Sequence, residues 1–228
     1  MTHPLKAVLW DLDGTVVDSE GYWIATESEI AAEHGADWGE DDGLAAVGQP
    51  LARTAEMLIA RGVDAPVWAV VDEMVTRMQA RVRAEGVPYR PGVVRLMEEL
   101  RAEGIRQALV TMSVGGYVDA VVEGFPEGTL DVIRTGDTVP RGKPDPQIYL
   151  DAVHHLGLEV AHCLAIEDSP SGVGAILAAG VTPVAVPFMV EVPRDEVLVV
   201  LPTLDGVTAD HLAVIHRQWQ AGAPRAAH

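Results

Sequence analysis

The sequence predicts an α/β protein built on a doubly wound parallel sheet, with a block of helices inserted near its start. Two observations lead there. Short apolar runs recur along the chain, each followed by a helical pattern, and strands alternating with helices argue for a parallel sheet covered on both faces. Between about Asp18 and Val87 the alternation stops, and the pattern is helical throughout.

Taken in order, the strands are expected in KAVLW (6–10), RQALV (106–110), LDVIR (130–134), HCLAI (162–166) and TPVAVP (182–187). The core helices are expected in GVVRLMEELRAEG, QIYLDAVHHLG and SGVGAILAAG, each closed by glycine as helices commonly are. Inside the insert, IATESEIAAEHG, LARTAEMLIARG and VWAVVDEMVTRMQARVRAEG are amphipathic and none reads as a strand. VPYRPG marks the return to the sheet. This divides the chain into a core of residues 1–16 and 89–228 and a helical insert of residues 17–88, with the tail QAGAPRAAH expected to be loose.

Bulk composition narrows the function classes. At 228 residues and 48% hydrophobic the chain has ample material for a core. Its 34 acidic against 16 basic residues give a net charge of -18, which repels nucleic acid and anionic membranes. An anionic substrate would need a local cation site. The N-terminal apolar stretch is too short for a signal peptide and no run approaches a membrane span, so a soluble, cytoplasmic protein is expected. A monomer or weak homodimer is the expected state, though no feature of the sequence specifies it. The lone Cys163 excludes an internal disulfide and reads as buried packing.

The stretch KAVLWDLDGTVVDSE carries a chemical signal. Asp13 and Gly14 are explained by a tight turn, but Asp11 is a carboxylate at the inner end of a strand, where a charge is costly to bury unless a cation meets it. In a doubly wound sheet, ligands bind beyond the carboxyl ends of the strands. The residues expected there are Asp11 and Asp13, Thr111 and Ser113, Lys143, and Glu167 and Asp168. This set suits a Mg²⁺ site beside a phosphoryl site. Mg²⁺ takes a few protein oxygens and keeps waters and a phosphate oxygen; Asp11 and Asp168 would supply carboxylates and Asp13 its backbone carbonyl. Asp11 can attack phosphorus, Asp13 can protonate the leaving oxygen and then activate water, and Lys143 with the Thr111 hydroxyl can hold the phosphoryl oxygens.

The ordered set DLDGT, LVTMS, GKPDP and IEDSPSG resembles the four motifs of the haloacid dehalogenase superfamily. The helices after DGTVVDSE resemble the α-helical cap of its phosphoglycolate phosphatase and β-phosphoglucomutase-like branch. The resemblance implies a Rossmann-like core with an inserted cap and a Mg²⁺-dependent phosphatase or phosphomutase acting on a small phosphate monoester, such as a sugar phosphate, through an aspartyl-phosphate. It implies phosphate-binding positions at Leu12, Asp13, Met112 and Ser113, metal ligation by Asp11, Asp13, Asp168 and Glu167, and contact of Glu20 with substrate hydroxyls or water. The name-giving dehalogenases generally lack the second aspartate, so Asp13 argues against dehalogenation. Met112 stands where relatives are often small or polar.

Competing readings are specific. A phosphomutase of this branch needs a second cationic pocket; around Gly48 the neighbours are Val47 and Leu51, Val114 and Gly115 follow TMS, and Arg53 is the one nearby cation, so hydrolysis is expected over isomerisation. A receiver-like signalling domain also gathers aspartates, a hydroxyl and a lysine, but is far shorter. Glu167-Asp168-Ser169 taken alone reads as a helix cap, GEDDG (39–43) as a solvated helix start, and His154 and His155 as structural. Trp10 should pack on the sheet, and Trp23, Trp38 and Trp68 in the insert's core, with Tyr22 or Trp23 as weaker candidates for lining a pocket.

Overall fold

The computed structural model describes residues 4–47, 49–192 and 199–222. In chain order its regular elements are β1 (Ala7–Trp10), α1 (Glu20–Glu33), α2 (Glu40–Ala46), α3 (Leu51–Ala60), α4 (Val67–Glu85), α5 (Val93–Ala102), β2 (Arg106–Val110), α6 (Gly115–Val122), β3 (Val132–Arg134), α7 (Gln147–His155), β4 (Cys163–Glu167), α8 (Pro170–Ala179), β5 (Thr182–Ala185), β6 (Val199–Val200) and α9 (Ala209–Gln220). They form two compact units. One carries the sheet and takes the chain up to Asp18, Pro88–Gly115 and the chain from Phe125 onward; the other takes Ser19–Val87 and Gly116–Gly124.

The sheet has six strands in the order β3-β2-β1-β4-β5-β6, every neighbouring pair parallel. The chain builds outward from β1 through β2 to β3, then crosses to the other side of β1 for β4 to β6. The order reverses beside β1, which is where doubly wound sheets open a crevice for ligands. The inner strands AVLW, CLAIE and TPVA are buried throughout, as the continuous apolar runs of a sheet covered on both faces must be. Ala7 and Leu9 pack with Ile148, Tyr149, Ala152 and Ile176 of α7 and α8. Trp10 points to the opposite face, fully buried, where its indole N–H donates to Gln107 Oε1 at 3.0 Å; the Gln107 amide donates to the Met97 carbonyl of α5 at 2.9 Å.

In the helical unit, Ile30 and Ala31 of α1, Ala55 and Leu58 of α3, and Val70 and Met74 of α4 form one core. Trp23 meets the ring of Tyr117 from α6 edge-on at 5.2 Å. Arg77 joins Glu33 of α1 to Glu73 of its own helix, at 2.5 Å to each, so charge as well as apolar burial ties α1 to α4. Trp68 departs from its expected place in this core: it lies at the start of α4 with 74% of its surface exposed. The pattern did not single out α6, β6 or α9. Of the tail, residues 223–228 lie outside the described residues. Cys163 is buried, and burial pushes its thiol up to about 12, out of reach of thiolate chemistry. Among the described residues no helix is long and apolar enough to cross a membrane.

One carboxyl group in the helical unit works against stability. Glu27 of α1 is 4% exposed and its Oε2 has no hydrogen-bond partner. Burial, and behind it the charge of Glu20, pushes its pKa from 4.5 up to about 8. The folded chain therefore holds this proton at pH values where the unfolded chain has lost it, and stability falls as pH rises from about 4.5 and levels off above about 8. Replacing the group removes that slope. Denaturant unfolding of wild type and Glu27→Gln at pH 5 and pH 8 should show the wild type losing on the order of 2–4 kcal/mol relative to the variant across that interval. A stability difference that does not change with pH would refute this account.

Candidate functional site

The sheet register assembles the site. Trp10 is level with Leu109 of β2 and Ile166 of β4, so the next residue on each strand brings Asp11 abreast of Val110 and Glu167. The Asp11 amide donates to the Ile166 carbonyl at 3.1 Å and continues the ladder one step past β1. Asp168 and Thr111 then follow at the same edge. Asp11, Glu167 and Asp168 are all buried, and each offers a carboxylate oxygen within 4.8 Å of the other two.

Lys143 supplies the positive charge that Asp11 requires. Its ammonium donates to Asp11 Oδ1 at 2.6 Å, Glu167 Oε1 at 2.7 Å and the Val110 carbonyl at 3.0 Å, which uses all three donors. Its side chain is 4% exposed, and the Tyr149 ring lies 5.2 Å from Nζ. Burial pulls the Lys143 pKa down, but the carboxylates of Asp11 and Glu167 outweigh it and hold the group well above its usual range. Lys143 is a permanent cation.

Glu167 is fully engaged by the protein. Oε1 accepts from Lys143, with the Tyr149 hydroxyl at 3.4 Å, while Oε2 accepts from the Ser169 amide and hydroxyl, both at 2.9 Å. Ser169 is also the N-cap of α8, accepting from the Gly172 amide at 3.1 Å, so the cap reading of this segment is correct for Ser169. Asp11 Oδ2, by contrast, is buried with no partner. Burial first, and repulsion from Glu167 next, push the Asp11 pKa up to about 7 despite Lys143. Burial, Asp11 and Glu167 push Asp168 up to about 9. Three carboxylates against one ammonium leave the pocket short of positive charge. An orphaned hard oxygen and two strained carboxylates fit a divalent metal ion, which prefers this donor set.

Two glycines make the packing of these carboxylates possible. Gly14 has φ +82°, a left-handed conformation, and a Cβ there would lie 2.1 Å from Asp168 Oδ2. On α8, a Cβ on Gly172 would lie 1.6 Å from Glu167 Oε1. The beginning of α8 can approach the carboxylate only because no side chain intervenes.

On the other side of Asp11, Ser113 donates to Asp13 Oδ2 at 2.5 Å, and the Ser113 amide donates to Thr111 Oγ1 at 2.9 Å. Asp13, Thr111 and Ser113 thus form one hydrogen-bonded chain, with Thr111 anchored by its amide to the Arg134 carbonyl at 2.9 Å. Leu12 is fully buried, so only its backbone can serve a ligand. The Met112 side chain folds over the loop leading to Lys143: its Cε lies where Cβ atoms on Gly136 and Gly142 would come within 3.1 and 2.3 Å.

Glu20 and Arg53 belong to the helical unit. Glu20 opens α1. Arg53 pairs with Glu56 at 3.0 Å with both side chains more than half exposed. Gly48 lies outside the described residues. Asp42 accepts from the Gly39 amide at 3.0 Å at the start of α2 and pairs with Arg61, as a solvated helix start does. His154 and His155 are exposed on α7. Sequence reasoning missed Tyr149 and Gly172 because an aromatic or a glycine inside an apolar helix reads as packing.

A family model described as haloacid dehalogenase-like hydrolase matches residues 8–186. The chain is 33% identical over 218 residues to protein CbbY (plasmid) of Cupriavidus necator, covering 88% of this chain and 86% of that protein. It is 33% identical over 206 residues to hexitol phosphatase A of Escherichia coli, covering 89% and 93%. Its fold superposes with a TM-score of 0.78 on a mutant of CbbY from Rhodobacter sphaeroides in complex with xylulose-(1,5)bisphosphate, at 26% identity over 91% of this chain and 99% of that one.

The glycine cradle can be tested within one helix. Gly172→Ala should destabilise by about 1–3 kcal/mol, because the new methyl must displace Glu167 from Lys143. At Gly174 a Cβ finds only Pro144 Cβ, at an ordinary 3.6 Å. Gly174→Ala should therefore be neutral or raise stability by up to about 1 kcal/mol. Thermal melts of both variants decide the matter, and equal effects would remove the steric explanation.

Proposed function

Because the chain belongs to the haloacid dehalogenase-like hydrolases and is a phosphatase, we propose that it hydrolyses a small sugar phosphate with Asp11 as nucleophile and Mg²⁺ as cofactor. The observation that carries this reading is the state of Asp11: one oxygen is fixed by Lys143 at 2.6 Å and the other is buried without a partner. Such an oxygen is oriented and ready to accept either a cation or phosphorus. The names of the relatives, a hexitol phosphatase and a protein bound to a sugar bisphosphate, support a sugar phosphate as substrate. Family membership decides against the receiver-domain alternative.

Asp11, Asp168 and the Asp13 backbone carbonyl would hold the ion, with water and the substrate completing its shell. When bound, it neutralises charge on nucleophile and phosphoryl group so that two anions can approach one another. Glu167 orients Lys143, its oxygens being already taken by protein donors. An oxygen of Asp11 bonds to phosphorus as the ester P–O bond breaks, and Asp13 gives its proton to the departing sugar oxygen. Water then attacks the aspartyl-phosphate and passes a proton to Asp13. The bond from Asp11 to phosphorus breaks, and inorganic phosphate leaves with the nucleophile restored. The positive charge of Lys143, whose three donors are held by Asp11, Glu167 and the Val110 carbonyl, and the Thr111 hydroxyl stabilise the phosphoryl oxygens while charge spreads over them. Ser113, donating to Asp13, fixes the carboxyl that moves the proton. Glu20, at the entry to the helical unit, would accept hydrogen bonds from sugar hydroxyls.

Turnover of a panel of sugar phosphates should require Mg²⁺, and Ca²⁺ should inhibit through its larger, looser shell. Asp11→Asn should lower kcat about a thousandfold or more with the fold intact. Asp13→Asn should release one equivalent of leaving group from an activated ester and then stall as a phosphoenzyme. Substantial activity in Asp11→Asn, or wild-type hydrolysis by Asp13→Asn, would refute the mechanism.

The reaction is hydrolysis rather than isomerisation. Arg53, the cation that a second phosphate would need, is engaged by Glu56. With glucose 1-phosphate and a trace of glucose 1,6-bisphosphate, inorganic phosphate should appear faster than glucose 6-phosphate. The opposite order would make the protein a mutase.

A further inference from the structure

Arg90 lies in the segment VPYRPG and takes no part in the chemistry above. Its backbone amide donates to the Val16 carbonyl at 2.9 Å, beside a bridge between Tyr89 and Val17, so the residue is anchored next to the loop that follows Asp11. From this anchor its half-buried guanidinium joins two segments: Nη1 donates to the Gly14 carbonyl and, at 3.1 Å, to the Val186 carbonyl. The Phe188 ring covers the guanidinium 4.6 Å from its centroid.

The two carbonyls belong to the two halves of the acidic cluster. Gly14 follows Asp13 in the nucleophile loop. Val186 directly follows β5, and its amide donates to the Glu167 carbonyl at 2.7 Å, which ties it to the strand end that precedes Asp168. Between the halves, Gly14 rests directly against Asp168, with no room for a methyl group. A force that holds Gly14 to Val186 therefore also sets how far Asp168 stands from Asp11.

We infer that Arg90 is a positioning residue of the metal site, a strut that holds Gly14 against Asp168 and thereby fixes the spacing of the Asp11 and Asp168 carboxylates. The inference rests on the reading of this cluster as a divalent-metal site. Arginine suits the task because its planar guanidinium stacks on the Phe188 ring, which fixes the direction in which Nη1 donates to both carbonyls, whereas a lysine ammonium sits on a flexible stem. Charge alone predicts the reverse effect on binding: a cation near Asp168 repels a divalent ion, so losing it should tighten binding. Geometry and charge thus predict opposite signs.

The experiment titrates Mn²⁺, followed by its paramagnetic resonance signal, into the metal-free full chain of wild type, Arg90→Lys, Arg90→Met and Phe188→Leu, with circular dichroism melts to establish folding. Arg90→Lys and Arg90→Met should each bind about tenfold more weakly or worse, as expected when a residue orienting a ligand is lost. Phe188→Leu should weaken binding severalfold, and raised Mg²⁺ should restore p-nitrophenyl phosphate turnover to Arg90→Lys. If Arg90→Met does not fold, the lysine and leucine variants carry the test. Wild-type affinity in Arg90→Lys, or tighter binding in Arg90→Met, overturns the inference. A wild type that binds no Mn²⁺, or Asp168→Asn binding as well as wild type, overturns the metal reading itself.

Discussion

The site depends on one buried ammonium. Taking a carboxylate out of water costs several kcal/mol even after relaxation, and Asp11 and Glu167 sit side by side at the end of adjacent strands. Lys143, 2.6 and 2.7 Å from them, makes that arrangement tolerable, and its third hydrogen bond, to the Val110 carbonyl, anchors the ammonium on β2 as well. A single side chain thereby ties the ends of β1, β2 and β4 together where the parallel ladder stops. Compensation is incomplete. With Asp168 included, three carboxyl groups crowd one ammonium, and the orphaned oxygen of Asp11 marks where a further cation would fit.

Much of the sheet was legible because a strand buried on both faces has no alternative to a continuous apolar run. The runs KAVLW, RQALV and HCLAI match β1, β2 and β4 to within one residue, while LDVIR begins two residues before β3 and TPVAVP ends two residues after β5. What escaped were elements whose sequence carries no such compulsion. β6 is two half-buried valines. α6 begins with two glycines and does not announce itself by periodicity, whereas α9 buries Ala209, Leu212, Ile215 and His216 at helical spacing, a signal that was present and not used. Trp68 was misplaced for a related reason: an aromatic in an amphipathic helix is expected inside, yet its position at the first turn of α4 leaves it exposed.

At the site, residue types were legible and their division of labour was not. A carboxylate ending an apolar run reads as chemistry because its burial is costly. The expectation placed Asp168 beside the ion, but adjacency in IEDSPSG does not by itself say which acid faces Lys143, and both acids bring an oxygen within 4.8 Å of one of Asp11's. That choice is made in three dimensions, by Ser169 and Lys143 saturating Glu167 and by Gly172 leaving it room. Arg90 and Tyr149 were invisible for the same reason. Their sequence neighbourhoods are a loop and a helix of ordinary composition, and only folding brings them to Gly14 and Glu167.

The glycines and the charges are two expressions of one constraint. Carboxylates held this close repel one another, and an interior packed like a crystal transmits small displacements rather than absorbing them. A methyl group at Gly14 or Gly172 would act on the same oxygens that Lys143 and Arg90 position, so sterics and electrostatics cannot vary independently here. Crowding of these carboxyls is costly, as the upward shifts of Asp11 and Asp168 indicate. A cation entering such a preset cluster relieves repulsion already present and reorganises little. The same preorganisation that crowds the carboxyls therefore suits a divalent cation of matching size.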